Sequence, residues 1–317
     1  MTKSRITAYV YLLLVALIWG VAGPVIKFTL ADLSPVVFLT YRFFLTSLVL
    51  APVFLISKPR LPDTWREWGL VILVGLLGSS VNLWLLFAGY ARTTALDGTL
   101  LSATAPILVV VAGVMFLKEE LTRREQLGLA VVLAGVVVTI FQPLVEAGGV
   151  ALSSIGGNLL VMGANLAWAA YVVLSKVSLK HKYLPLTLIT ISFGVGFMSM
   201  LPVAVLQTGS VGGLITQIKT VPVAAHAGVW YMALVSGALA YVLFQEGQKR
   251  IEVSEATLFS YLSPIFAAPL AVWWLSETIT LPYLLGAGII AAGVGIAGAR
   301  GRRNHEARHT SQVVSRS

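Results

Sequence analysis

The stretch Thr99-Leu-Leu-Ser-Ala-Thr-Ala-Pro106-Ile107 recurs further along the chain as Thr257-Leu-Phe-Ser-Tyr-Leu-Ser-Pro264-Ile265. At the same offset Gly89 falls on Gly247, Arg92 on Arg250, Glu119 on Glu277, Thr122 on Thr280, Gly128 on Gly286 and Gly135 on Gly293. Agreement at so many spaced positions marks an internal repeat, which constrains the fold before any single element does. Each proline lies near the centre of an apolar run. There it removes the hydrogen bond to the carbonyl four residues back, that of Ser102 or Ser260. Such irregular backbone persists at membrane depth only where it is buried in protein or lines a cavity. Related broken helices in two halves point to the binding site of a carrier.

The surrounding composition agrees. Hydrophobic residues make up 57% of the chain and charged ones 11%, with mean hydropathy +0.88; soluble domains carry roughly a quarter charged residues. The absence of cysteine excludes disulfides, thiolate metal sites and cysteine nucleophiles. The net charge of +9 does not indicate a nucleic-acid partner, because the basic residues sit in short segments between apolar runs, as in membrane proteins. The four histidines lie in loops or the tail without ligand spacing. Zinc-helix, nucleophile-elbow and P-loop motifs are all missing, so neither an enzyme, a cofactor nor ATP-driven pumping is expected.

At about 20 apolar residues per crossing, the chain divides into about ten spans: Ala8–Thr29, Val36–Ile56, Trp68–Tyr90, Leu96–Leu117, Gln126–Phe141, Ile155–Val177, Leu184–Leu206, Ala227–Gln248, Ala256–Leu275 and Pro282–Ala299. The N-terminus has no cleavage-site pattern before its apolar run, which reads as a retained first span. With the N-terminus inside, all of the 22 Lys and Arg except Lys27, Arg92, Lys219 and the intramembrane Arg42 fall in inside segments. That bias places both termini in the cytoplasm of a multi-pass inner-membrane protein. The expected fold is all-α, with ten transmembrane helices as two five-helix repeats, 1–146 and 147–300, around a central cavity. A polar cytoplasmic tail, 301–317, follows. Five spans per half is an odd number, so the second repeat is inverted, the architecture tied to alternating access.

Trp19-Gly20 with Lys27, the Arg42-Phe43 pair, Ala105-Pro106 and Lys118-Glu119-Glu120 resemble the EamA-type branch of the drug/metabolite transporter superfamily. Trp168 with Lys176, Ser263-Pro264 and Ser276-Glu277 repeat the pattern in the second half. The resemblance implies ten helices, a central cavity and export of small metabolites, amino acids among them. One departure stands out: Ser192 occupies the second-half position of Arg42.

Residues that match between halves read as scaffold, and polar residues that break the match as candidates for substrate contact. The second set contains Asn82, Asn165, Tyr171, Tyr241, Gln245 and Tyr261, set against Ala240, Ala16, Ala22, Leu83, Phe87 and Ala103. Trp19 and Trp168 lie too deep for the interfacial belt and offer an aromatic wall. Ser102, Pro106, Ser260 and Pro264 border the two breaks, so the site is expected between the fourth and ninth spans. The first, third, sixth and eighth spans would supply its walls. For each amide the alternative is an interhelical hydrogen bond, worth about 0.6 kcal/mol; for each serine it is a bond back to its own helix.

Arg42 lies about two turns into a span, where a charge costs about 2.5–3.5 kcal/mol on insertion scales. It either snorkels to the headgroups, pairs internally or receives a substrate carboxylate. Glu246 is either one partner of an i,i+4 pair with Arg250 or a proton-coupling carboxylate. Gly286, Gly288, Gly293, Gly295 and Gly298, with Gly128 and Gly135, let the tenth and fifth spans approach a neighbour closely, either one another or a second copy in a homodimer.

The leading function is therefore export of a small neutral or zwitterionic metabolite, driven by a gradient or by exchange. Its alternatives are an exchanger of phosphorylated metabolites or nucleotide-sugars, which would want several buried cations, and a transporter-like scaffold or sensor without flux. The partners expected are a small-molecule substrate and the lipid bilayer.

Overall fold

The computed structural model describes residues 3–57, 61–117, 123–146, 151–180, 185–248, 250 and 258–298. Lys118-Glu119-Glu120, Ala256-Thr257 and the tail lie outside the described residues, as do the side chains of Lys176 and Gln245. Every regular element described is helical. Eight helices are long and apolar enough to cross a membrane, and Phe259–Leu275 and Leu281–Ile296 are shorter apolar helices.

The first helix, α1, runs Lys3–Thr29 and α2 runs Pro35–Ser57. The third crossing is composite: α3 (Trp65–Gly75), a π-helical stretch Leu76–Val81, and α4 (Asn82–Tyr90). It starts three residues earlier than its apolar content suggests, because Thr64 and Glu67 form a reciprocal capping box that satisfies the first amides. The fourth crossing is split into α5 (Ala95–Ser102) and α6 (Ala105–Leu117). Then follow α7 (Arg123–Glu146), α8 (Ala151–Lys180) and α9 (Pro185–Thr208).

The chain between the seventh and eighth crossings folds into its own helix, α10 (Val211–Thr220). Gly209, at φ 79°, ends α9 in the left-handed region that glycine adopts without strain. The Ser210 hydroxyl accepts the Gly213 amide and starts α10. The eighth crossing again contains a π-helical stretch, Tyr231–Leu239, between α11 (Val223–Trp230) and α12 (Ala240–Gln248). A 3-10 turn, Leu258–Leu262, leads into α13 (Ser263–Leu275), with Pro264 in its first turn; α14 runs Leu281–Gly298.

Two apolar cores hold the bundle. One gathers α1, α2, α4 and α9 around Phe38, Phe43, Phe87 and Phe193. The other gathers α5, α6, α7, α8, α13 and α14 around Leu101, Val132, Val161 and Ile290. Large apolar side chains also face outward, Ile56 and Leu206 at 82% exposure and Leu152 at 78%, as an acyl-chain environment requires.

The most extensive helix contact joins α7 to α14. A Cβ on Gly293 would stand 2.7 Å from the Val132 amide nitrogen and 2.8 Å from the Gly128 carbonyl oxygen, whereas one on Gly288 or Gly295 would meet nothing within 4 Å. The glycine stripe thus serves contact within the chain on one face and leaves Gly288 and Gly295 on the other. Gly293→Leu is expected to lower the melting temperature in detergent, at a cost of about 1–3 kcal/mol for overpacking against backbone. Gly288→Ala should leave it unchanged or slightly raised. Equal losses from both would show that the α7–α14 approach does not hold the bundle.

Candidate functional site

The split between α5 and α6 is tied to neighbouring side chains. The Leu101 carbonyl, which accepts the Thr104 amide at 3.0 Å, also accepts from the Thr104 hydroxyl at 2.6 Å and the Asn165 side-chain amide at 2.8 Å. Ser102 donates back to the Gly98 carbonyl at 2.7 Å. Other amides are spent in the same way: Asn82 donates to Ala164 O at 2.7 Å, and Asn158 donates to Thr139 O at 3.1 Å while accepting from the Thr93 hydroxyl. On the second half, Gly20 lies so close to the Ser263 carbonyl that a Cβ would approach it to 2.7 Å. Asn82, Asn165 and Ser102 thus serve the backbone, and the two breaks are filled from inside the chain.

The interior space lies to one side of them. A cavity of ≈ 10 Å³, about the room of one water molecule, is bordered by Gly78, Ser79 and Leu83 of the third crossing, Tyr171 of α8, Ile189, Ser192 and Phe193 of α9, and Tyr241 of α12. Its π-helical wall is tied to α9 by the Ser79 hydroxyl, which donates to Gly75 O and to Ser192 O at 2.7 Å. π turns recur at functional sites because they re-aim side chains out of helical register. Tyr171 rests on Gly78, where its ring fills the place of a Cβ. This cavity lies among the third, sixth, seventh and eighth spans, whereas the site was expected between the fourth and ninth. Ser102, Pro106, Ser260, Tyr261 and Pro264 do not border this cavity.

Aromatic rings surround it. The Tyr241 ring lies 5.7 Å from Trp19, 6.2 Å from Trp168 and 5.9 Å from Phe193, and Trp168 packs on Tyr171 at 5.0 Å. Trp19 is fixed by donating Nε1–H to the Ser236 carbonyl in the second π stretch at 3.2 Å. Arg42 stands beside Tyr241 with its guanidinium 5.6 Å from the Phe87 ring centre. At 2% exposure it is among the largest fully buried side chains, so it does not snorkel to the headgroups. Glu246, by contrast, stands 3.3 Å from Arg250 in a pair about one-third exposed near the end of α12.

At the bundle end that carries Lys27 and Arg92, a clamp joins four elements. Lys27 of α1 donates to the carbonyls of Tyr90 at 3.1 Å and Thr93 at 2.6 Å, satisfying the end of α4. Glu277 accepts from the amides of Ala95 at 2.6 Å and Leu96 at 2.9 Å, capping α5 with negative charge at the positive end of its dipole. Ser276, at φ 55°, makes the left-handed turn that ends α13 and aims Glu277 at α5. Sequence comparison of the halves marked Lys27 and Glu277 as repeated positions, and so as scaffold; it carried no sign that the two would meet across the halves.

Burial holds the Glu277 carboxyl above its ordinary value of 4.5, against the lowering effects of the two amides and of Lys27. The folded state then binds this proton more tightly than the unfolded chain. Stability from this group therefore increases as pH falls through the raised value and levels off below 4.5. The melting-temperature difference between wild type and Glu277→Gln should accordingly move in favour of wild type on titration from neutrality to pH 4.5. A pH-independent difference would mean that the carboxyl is not burdened by burial.

The apolar helices, two of them interrupted by π-helical stretches, mark a multi-pass membrane protein. The chain belongs to the EamA-like transporter family, whose pattern matches residues 6–141 and again 155–298. It is 25% identical to the "Uncharacterized transporter YyaM" of Bacillus subtilis, over 92% of this chain and 93% of that one. It is 28% identical to a "Probable amino-acid metabolite efflux pump" of Salmonella typhimurium, over 92% and 95% of the two chains. To a "Probable terminal-alkyne amino-acid exporter" of Streptantibioticus cattleyicolor it is also 28% identical, over 78% of each. A crystal structure 18% identical in sequence shares the fold, with a TM-score of 0.60 over 93% of this chain and 98% of that one.

Proposed function

We propose that this protein is a secondary exporter of small amino-acid-like metabolites, working by alternating access in the inner membrane with both termini in the cytoplasm. The observation that carries the reading is the cavity bordered by Tyr171, Phe193 and Tyr241, with Trp168 packed on both tyrosines, in which three crossings of the second half meet the π-helical third crossing of the first. Space for little more than one water suits an occluded resting form, which must open before a metabolite can enter. Two matching halves supply the means, since rocking one against the other exposes a midplane site to each side in turn. Relatives named as amino-acid metabolite exporters support the substrate class and the direction.

One buried arginine among the described residues, in place of a cluster of cations, speaks against phosphorylated cargo. The clamp of Lys27 and Glu277 is then the contact that must part when the outer end opens. Counterflow in proteoliposomes loaded with mixed amino acids tests the proposal. Wild type should show saturable exchange of one class. Tyr241→Ala and Trp168→Ala should lower it at least about tenfold, the size of a 1.4 kcal/mol loss, while the protein remains folded. Trp65→Ala, at an 85% exposed position, should be silent. Folded protein that exchanges no pool would sink the reading.

A further inference from the structure

We propose that Arg42, which does not itself border the cavity but stands beside its Tyr241 wall, is the substrate-recognition residue once the cavity opens and that it takes a carboxylate, so that the cargo is an acid with an apolar or aromatic body. The inference rests on the carrier reading and narrows it. Arg42 carries a permanent charge at any physiological pH. Its Nε and Nη1 are buried and have no hydrogen-bond partner, and no ion pair joins it to a described carboxylate. Its surroundings are the Phe87 ring, Tyr241 and the backbone near Gly237, where a Cβ would stand 3.7 Å from Nη2.

A buried guanidinium with unmet donors is costly unless an anion joins it. Lys27 is supplied with fixed backbone acceptors; other buried groups without a partner include the hydroxyls of Ser47, Ser175, Thr187 and Thr190, but these are neutral, whereas Arg42 is charged. The missing partner of Arg42 is therefore one that comes and goes. A second unmet donor lies on the cavity wall: the Ser192 hydroxyl is buried without a hydrogen-bond partner and occupies the position in the second half that Arg42 holds in the first. A single cation and a hydroxyl suit a monoanion. Phosphate esters, with two charges and more acceptors, would leave charge unmatched. The rings of Trp168, Tyr171 and Tyr241 offer the rest of the molecule an apolar enclosure.

The test separates the acid from the amine with four probes of one shape: phenylalanine, 3-phenylpropionate, phenylalaninamide and phenethylamine. Each is measured by thermal shift on purified protein and by competition in counterflow. Phenylalanine and 3-phenylpropionate should stabilise and compete, the amide and the amine about tenfold more weakly or not at all. Arg42→Met should abolish the preference while melting no lower than wild type, because it removes a buried charge that lacks a fixed partner. Arg42→Gln provides the second, polar variant.

Equal effects of acid and amide would overturn the proposal and leave the carrier reading standing. So would an Arg42-dependent shift reproduced by chloride or inorganic phosphate alone, or failure of both variants to fold, which would make Arg42 a structural residue. An Arg42-dependent thermal shift without any exchange would count against the carrier reading alone.

Discussion

A bilayer core offers no water to a backbone group that has lost its helical partner, and the architecture follows from how each such group is satisfied inside the chain. Where α5 stops, Asn165 and Thr104 take the Leu101 carbonyl. Where α5 starts, Glu277 takes two amides; where α4 ends, Lys27 takes two carbonyls. Beside the second π stretch, the Trp19 indole donates to Ser236, and the Tyr231 hydroxyl at its start donates to Ile18 O at 2.7 Å. Almost every one of these bonds crosses between elements distant in sequence. The interruptions that loosen individual helices are therefore also what ties the bundle together.

This accounting also separates scaffold from working surface. The buried amides are already committed to backbone, so they have little to offer a ligand. Arg42 and the Ser192 hydroxyl are not committed. The rings around them bring large apolar area and defined orientation without further hydrogen-bonding demands, apart from the polar tips of tryptophan and tyrosine. On the proposed reading, recognition falls to few polar groups set in an apolar wall, the usual composition of a small-molecule pocket.

The sequence read most clearly where physics acts locally and repeatedly. Span positions came from apolar length, and the breaks before Pro106 and Pro264 came from the missing amide of proline. The expectation of two halves came from spaced identities such as Gly135 with Gly293. What stayed hidden depends on neighbours. Nothing in Leu76–Val81 or Tyr231–Leu239 distinguishes a π turn from an α turn, because the residue types suit both and the choice is made by contacts such as Ser79 with Ser192. Glu277 read only as a repeated position because its partners are main-chain amides, which carry no residue signature. The amides Asn82 and Asn165 were picked out correctly as unusual, yet a polar side chain facing a cavity and one holding a neighbouring carbonyl look alike in a sequence. The cavity accordingly lies beside α9, whose Ser192 and Phe193 had drawn attention only as the counterparts of Arg42 and Phe43.

The solitary charge of Arg42 has an electrical consequence. On the proposed mechanism Arg42, with no counter-ion among the described residues, gives the empty carrier one net positive charge inside the bundle, and a bound carboxylate cancels it. When access to such a charge passes from one face to the other, the charge shifts through part of the membrane field. A whole unit crossing 100 mV corresponds to about 2.3 kcal/mol. The membrane potential then acts on the return of the empty carrier and hardly at all on the loaded one, so the voltage sensitivity of the cycle belongs to the step that moves no cargo.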